Sequence, residues 1–94
     1  MKIPAVITTL HRGVFFGYIE EQDTDKKTIR AENVRMAIRW SPEVRGVVGL
    51  AANGPTASCR ISPAAPVVTL MDVTAVMKCS KEATAAWEKA PWDA

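Results

Sequence analysis

The stretch "NVRMAIRW", residues 33–40, alternates between two kinds of side chain almost without a fault. The apolar members of one parity are Val34, Met36, Ile38 and Trp40. Arg35, Ala37 and Arg39 make up the other parity. Because successive side chains of a strand point to opposite faces, the pattern predicts a β-strand. One face should be buried, and the other should carry two guanidinium groups.

The residues before this stretch predict a second strand and a hairpin. "AVITTLHRGVFFGYIEEQ", residues 5–22, is rich in β-branched and aromatic residues, and its two glycines mark bends or bulges. "EEQDTDKK", residues 20–27, has no apolar residue and predicts a solvated hairpin loop. The following strand, residues 28–40, is expected to bulge around Asn33 before the clean alternation begins.

The residues after it predict shorter elements. "VVGLAA", residues 47–52, predicts a short strand, and "NGPTASCRISPAAP", residues 53–66, predicts two turns around a brief extended piece. "VVTLMDVTAVMKC", residues 67–79, predicts a strand in which Asp72 marks a turn or bulge.

The end of the chain predicts one helix, at about residues 81–90. Ser80 is a favourable N-cap, and Pro91 stops the helix. Trp87 lies on a narrow apolar stripe and should pin the helix to the sheet or to a neighbouring subunit. The predicted fold is therefore mainly β, a single domain over residues 1–94. It is a small, strongly bent antiparallel sheet or barrel of about five strands within residues 5–79, with one short C-terminal α-helix.

Composition narrows the function classes. The chain has 94 residues and a net charge of +2, too mild for non-specific nucleic-acid binding, so nucleic acid is a less favoured partner. Two cysteines and one histidine cannot form a usual four-ligand zinc site, and we expect neither a metal nor a cofactor. The sequence shows no signal peptide or membrane span, which predicts a cytoplasmic protein with reduced thiols.

Catalysis is not expected. His11 is the only histidine, and no nucleophile is paired with it in the sequence. It lies beside Arg12 at a predicted strand bend, where a structural or ligand-contact role is favoured. We therefore predict a non-enzymatic protein without catalytic residues.

The arginines of the alternating strand have two interpretations. Arg35 and Arg39 would lie about 13 Å apart on an extended strand, at roughly 3.3 Å per residue. They could form a shallow anion-binding groove that Arg60 and His11 join after folding, because arginine binds planar anions and stacks on flat rings. Alternatively they belong to a solvated face and pair with acidic residues on neighbouring strands, each pair contributing little.

The irregular stretch also has two interpretations. The hydroxyls of Thr56 and Ser58, together with Arg60, could hold a phosphate or a carboxylate. In the alternative, this is a surface turn whose hydroxyls satisfy its own backbone.

Four phrases together resemble a family of short uncharacterised proteins of tailed phages and prophages. They are "ITTLHRGVFFGYIEEQD", "NVRMAIRWS", "GVVGLAANGPTASCRISPAAP" and "VTAVMKCSKEATAAWEKA", and the likeness runs from Ile7 to Trp87. The resemblance implies phage origin and an infected bacterial cytoplasm, and it assigns no catalytic residue. The strand pattern is also similar, at the level of fold, to small Sm-like and SH3-like barrels.

These observations favour a homo-oligomeric binding protein that sequesters a small anionic ligand, such as a nucleotide-derived immune signal. The predicted ligand-binding residues are Arg35, Arg39, Arg60, His11, Arg12, Trp40, Tyr18, Thr56 and Ser58. Trp40 or Tyr18 would stack on a base. The alternatives are a ring-forming nucleic-acid-binding or adaptor protein, and an inhibitor that docks on a host enzyme through Phe15, Phe16 and an edge strand.

Overall fold

A computed structural model describes residues 2–10 and 13–89 of the chain. Its strands are β1 (Lys2–Thr9), β2 (Val14–Glu20), β3 (Ile29–Arg39), β4 (Arg60–Ile61), β5 (Ala65–Leu70) and β6 (Val73–Lys78). Its α-helices are α1 (Gly46–Ala52) and α2 (Lys81–Lys89), and short 3-10 turns span Glu21–Asp23 and Pro42–Val44. The mainly β fold class is confirmed.

The strands form one bent antiparallel sheet. Its order is β4-β3-β2-β1-β6, and β5 pairs with β3 beside β4. Strands β5 and β6 follow each other in the chain, yet β5 pairs with β3 and β6 pairs with β1. The short link between them therefore forces the sheet to curl toward a barrel. The sheet is not closed. The described residues form six strands, whereas about five are predicted, and the single strand predicted at residues 5–22 is wrong, because the chain turns back between β1 and β2 and the two pair antiparallel.

A bulge in β3 decides which side chains share a face. Asn33 has a positive φ of 51°, and the β2–β3 register shifts where Phe16 pairs with Arg35 and Tyr18 pairs with Glu32. Asparagine tolerates this left-handed conformation better than most residues. The predicted bulge is confirmed, and it places Arg35 on the same side of the sheet as Phe16.

The strands alone supply one core, which we call the inner cluster. Its buried members are Ala5, Ile7, Ile19, Ile29, Ala31, Val34 and Leu70. No helical residue belongs to it among the described residues, so the curl of the sheet is what removes these side chains from water.

The opposite face supports a second core, the helix-side cluster. Its buried members are Val6, Val14, Phe16, Ala37, Val44, Leu50, Ala51, Cys59, Ile61, Ala83 and Trp87. This cluster joins strand residues to both α-helices and to the segment between them. Trp40 is half-buried and packs against it.

The predicted buried face of β3 is partly wrong. Val34 is buried, but Met36 is 38% exposed and Ile38 is 52% exposed, whereas Ala37 of the arginine parity is only 4% exposed. The reason is the length of β5, whose pairing with β3 ends at Val34. Beyond Val34, no residue of β3 belongs to the inner cluster. On the face that carries Arg35, Ala37 is buried in the helix-side cluster.

The strand predicted at residues 47–52 is also wrong, because this segment belongs to helix α1. The periodicity of a short apolar run does not distinguish a strand from a helix. Hydrogen bonds to residues distant in the chain stabilise the helix instead. Leu50 O accepts a hydrogen bond from Trp87 Nε1 at 3.0 Å, and Ala51 O accepts one from the Ser80 N–H at 3.0 Å. Ala52 O accepts one from Ser80 Oγ at 2.6 Å. These groups satisfy terminal carbonyls that the helix itself leaves free.

The predicted C-terminal helix is confirmed as α2. Ser80 acts as its N-cap, since Ser80 Oγ accepts a hydrogen bond from the Ala83 N–H at 3.0 Å. Trp87 is fully buried, and its ring stacks on Phe16 with centroids 5.1 Å apart. The tryptophan therefore fixes the helix to the sheet. Within the described residues, neither helix has the length and apolar character needed to span a bilayer.

Candidate functional site

A pocket of about 210 Å³ lies where the sheet meets helix α2. The residues that line it are Phe16, Tyr18, Asn33, Arg35, Ala64 and Glu88. Two of the predicted ligand-binding residues, Tyr18 and Arg35, are therefore brought together. The bulge at Asn33 forms part of the same wall.

Arg35 is half-buried in this pocket. Its Nη1 donates a hydrogen bond to the carbonyl of Ser62 at 3.3 Å, which orients the guanidinium group. Among the described residues, no carboxylate lies within ion-pair distance of Arg35. The positive charge and most of the N–H donors are thus available for a ligand.

Tyr18 and Glu88 join the sheet to the helix across the pocket. The Tyr18 hydroxyl donates a hydrogen bond to Glu88 Oε2. Burial, together with this hydrogen bond, raises the pKa of Tyr18 well above its ordinary value. Tyr18 therefore stays protonated at neutral pH and acts as a donor to the carboxylate.

Aromatic rings give the pocket a fixed wall. Phe16 stacks on Trp87 in a nearly parallel arrangement, with an interplanar angle of 8°. The Tyr18 ring meets Phe16 edge to face, with centroids 5.4 Å apart. Offset stacking and edge-to-face contact are the favoured geometries of aromatic pairs, so the wall is well packed.

Arg39 and Arg60 lie apart from this pocket, where β3 meets β4. Their Cα atoms are paired across the two strands, and both residues are exposed. The structure thus brings these two predicted residues together, but at a site separate from Arg35. His11 and Arg12 lie outside the described residues.

Thr56 and Ser58 face a carboxylate. Glu43 Oε2 accepts hydrogen bonds from Ser41 Oγ at 2.5 Å, Thr56 Oγ1 at 2.8 Å and Ser58 Oγ at 2.5 Å. These hydroxyls, those of Ser41 and Ser58 foremost, lower the pKa of Glu43 to about 2. The turn therefore carries a stable negative charge, which disfavours an anion at this place.

Sequence reasoning missed Asn33, Ala64, Glu43 and Glu88 as site or network residues. Glu43 carries a local signal, since "SPE" at residues 41–43 places a serine two positions before a carboxylate. Glu88 carries none, because only the docking of α2 brings it to the sheet.

In the part of the chain that the structure describes, no group of three or more His, Cys, Asp or Glu side chains is arranged to hold a metal ion. Cys59 is buried, Cys79 is half-buried, and both are free thiols. Burial raises the pKa of the Cys79 thiol to about 12. A neutral, buried thiol is a poor nucleophile.

Comparison with known proteins adds one finding. The family model described as "Domain of unknown function (DUF6948)" matches residues 2–87. No curated protein and no solved structure gives a match. The match covers every strand and nearly all of α2.

Proposed function

The chain belongs to the DUF6948 family, and from the geometry of its pocket we propose a non-enzymatic protein that binds and sequesters a small anionic ligand, such as a nucleotide-derived signal. The proposal includes phage origin, action in the cytoplasm of an infected bacterium, and self-association. The observation that carries it is the half-buried Arg35, whose charge has no acidic partner among the described residues.

Partial burial of a charge without an opposite charge beside it is unfavourable, and an anionic ligand at the half-buried Arg35 would offset that cost. Arg35 donates one hydrogen bond to the Ser62 carbonyl, and this neutral acceptor does not balance the positive charge of the guanidinium group. A phosphate or carboxylate at the guanidinium group would form short, charge-assisted hydrogen bonds. Tyr18 and Phe16 would contact a flat ring attached to that anion.

Arg39 and Arg60 form a second cationic pair farther along β3, where it meets β4 and apart from the pocket. Both residues are exposed. A ligand with more than one phosphate would reach from Arg35 toward this pair. We propose that they increase the rate of capture more than the affinity, as exposed charges commonly do.

Self-association is supported by the apolar surface of β3. Met36 and Ile38 are exposed on the face opposite Arg35. Adjacent exposed apolar residues on one strand are characteristic of contact surfaces. In a homo-oligomer they would bury against a second copy and leave the pocket face free.

Isothermal titration calorimetry tests this proposal. Wild-type protein is titrated with cyclic di- and trinucleotides and with ADP-ribose, alongside Arg35→Gln and the matched control Arg30→Gln, an exposed arginine of the same strand outside the pocket. We expect micromolar or tighter binding of at least one compound, a loss of about tenfold or more in Arg35→Gln, and no change in Arg30→Gln. Absence of heat with every compound, at protein concentrations well above micromolar, would overturn the proposal.

The same samples separate capture of a small molecule from nucleic-acid binding. A gel shift with single-stranded RNA whose affinity falls steeply with salt would favour the ring-forming adaptor instead. We expect no such shift at physiological salt.

A further inference from the structure

The pocket carries opposite charges on its two sides. Arg35 enters from strand β3 and Glu88 enters from helix α2, and both line the same 210 Å³ space. They are not within the 4.0 Å of an ion pair in the described structure. A ligand between them must therefore present an anion to one side and hydrogen-bond donors to the other.

The Glu88 carboxylate is positioned to accept hydrogen bonds from such donors. Tyr18 donates to Oε2 and thereby holds the carboxylate in place. Oε1 has no hydrogen-bond partner among the described residues, and each carboxylate oxygen can accept more than one hydrogen bond. The carboxylate can thus receive two N–H groups side by side.

The volume of the pocket limits what enters. A space of 210 Å³ corresponds to about seven water molecules, at roughly 30 Å³ of liquid volume each. It has room for one flat ring, so the ribose and phosphate of a nucleotide would lie at its mouth, where the half-buried Arg35 borders solvent. A whole dinucleotide does not fit inside, so only one base of such a ligand would be read here.

We propose that Glu88 makes this pocket selective for a guanine nucleotide, with the base edge at Glu88 and a phosphate at Arg35. This inference rests on the proposed anion-binding function. Guanine presents an N1–H and a 2-amino group as adjacent donors, which match the two oxygens of a carboxylate. Adenine and uracil place an acceptor beside their donor, and that lone pair would meet the carboxylate and be repelled.

The test compares guanosine 5′-monophosphate with inosine 5′-monophosphate, which lacks only the 2-amino group. Uridine 5′-monophosphate serves as a third probe with the same phosphate. Each is titrated by calorimetry into the wild-type protein, Glu88→Gln, and the matched control Glu82→Gln, an exposed glutamate of the same helix outside the pocket. Glu88→Gln keeps an oxygen for the Tyr18 hydroxyl, and circular dichroism confirms that each variant is folded.

In wild type and Glu82→Gln we expect the guanine nucleotide to bind about tenfold or more tightly than either other probe, because a hydrogen bond to a charged group is lost. In Glu88→Gln we expect the three affinities to converge, while the dependence on Arg35 persists. Equal affinities of the three probes in wild type would overturn the guanine inference and leave the proposed anion site standing. A preference for guanine that survives in Glu88→Gln would also overturn it. Absence of binding by all three probes would overturn the inference and count against the proposed function as well.

Discussion

The two cores of this small protein are built in different ways. The inner cluster is made by strands alone and lies within the curl of the sheet. The helix-side cluster joins the sheet to both helices, and its bonds connect residues far apart in the chain, such as Trp87 and Leu50. The comparison indicates a division of roles, in which the inner cluster stabilises the scaffold and the helix-side cluster positions the pocket.

The largest expected effect follows from removing the residue that fixes α2. Trp87→Ala deletes a fully buried ring and its stack on Phe16. We expect a loss of about 3–5 kcal/mol in the free energy of unfolding, together with loss of ligand binding, because Glu88 leaves the pocket. Urea denaturation and calorimetry measure the two effects.

Trp87→Phe is the control for that experiment. It retains an aromatic ring against Phe16 but loses the hydrogen bond to Leu50 O. We expect a smaller destabilisation and retained binding. Full binding by a folded Trp87→Ala would contradict the role given to the helix-side cluster.

A matched change in the inner cluster should separate stability from binding. Ile7 is fully buried there, and Ile7→Ala should lower the free energy of unfolding by about 2–5 kcal/mol. Since Ile7 lies on the other face of the sheet, the folded fraction should bind ligand as wild type does. A weakened affinity, measured at a temperature where the variant is folded, would show that the inner cluster also positions the pocket and would contradict the division of roles.

The bulge at Asn33 shifts the alternation of β3 by one residue, so that Ile29, Ala31 and Val34 all belong to the inner cluster. Asn33→Val forces a β-branched residue into a left-handed conformation, at a cost of about 1–2 kcal/mol. We expect reduced stability in urea denaturation and weaker ligand binding, because Arg35 depends on the bulge for its orientation. Asn33→Gly accepts the same φ and should retain both properties.

The smallest effect concerns the Glu43 network beside the helix-side cluster. Hydroxyl groups depress the pKa of Glu43 from 4.5 to about 2. A depressed pKa means that the stabilisation is present above about pH 4.5 and is lost as the pH falls toward 2. The difference in stability between wild type and Glu43→Gln, followed by urea denaturation from pH 6 to pH 2, should therefore shrink as the pH falls. A difference in stability between the two proteins that does not change with pH would contradict the stabilising role given to the hydrogen bonds of Glu43.

The sequence predicted local features of the fold better than those that depend on distant partners, for a physical reason. Strand alternation and the bulge at Asn33 are local features, so the sequence is sufficient to locate the hairpin of β2 and β3. Helix α1 was missed because its six-residue apolar run is held by carbonyl partners about thirty residues away. The alternation predicts that Met36 and Ile38 are buried, because the sequence does not show where the pairing of β5 with β3 ends.

The residues of the site show the same difference between local features and features that depend on distant partners. Tyr18 and Arg35 were predicted because both lie on strands with readable alternation, and they line the pocket together. Arg39 and Arg60 were predicted as members of the same groove, but they lie where β3 meets β4 and do not line the pocket. Glu88 could not be found, since its place in the pocket depends on how α2 packs.

The most direct measurement is a titration of guanosine 5′-monophosphate into isotope-labelled protein, followed by NMR with the side-chain Nε–H signals of the arginines assigned. Ligand capture by the pocket requires that Arg35 and the Trp87 indole respond together and saturate at one affinity, with little change at Arg30. Saturating shifts confined to Arg39 and Arg60, with Arg35 unmoved, would place the anion elsewhere and contradict the account.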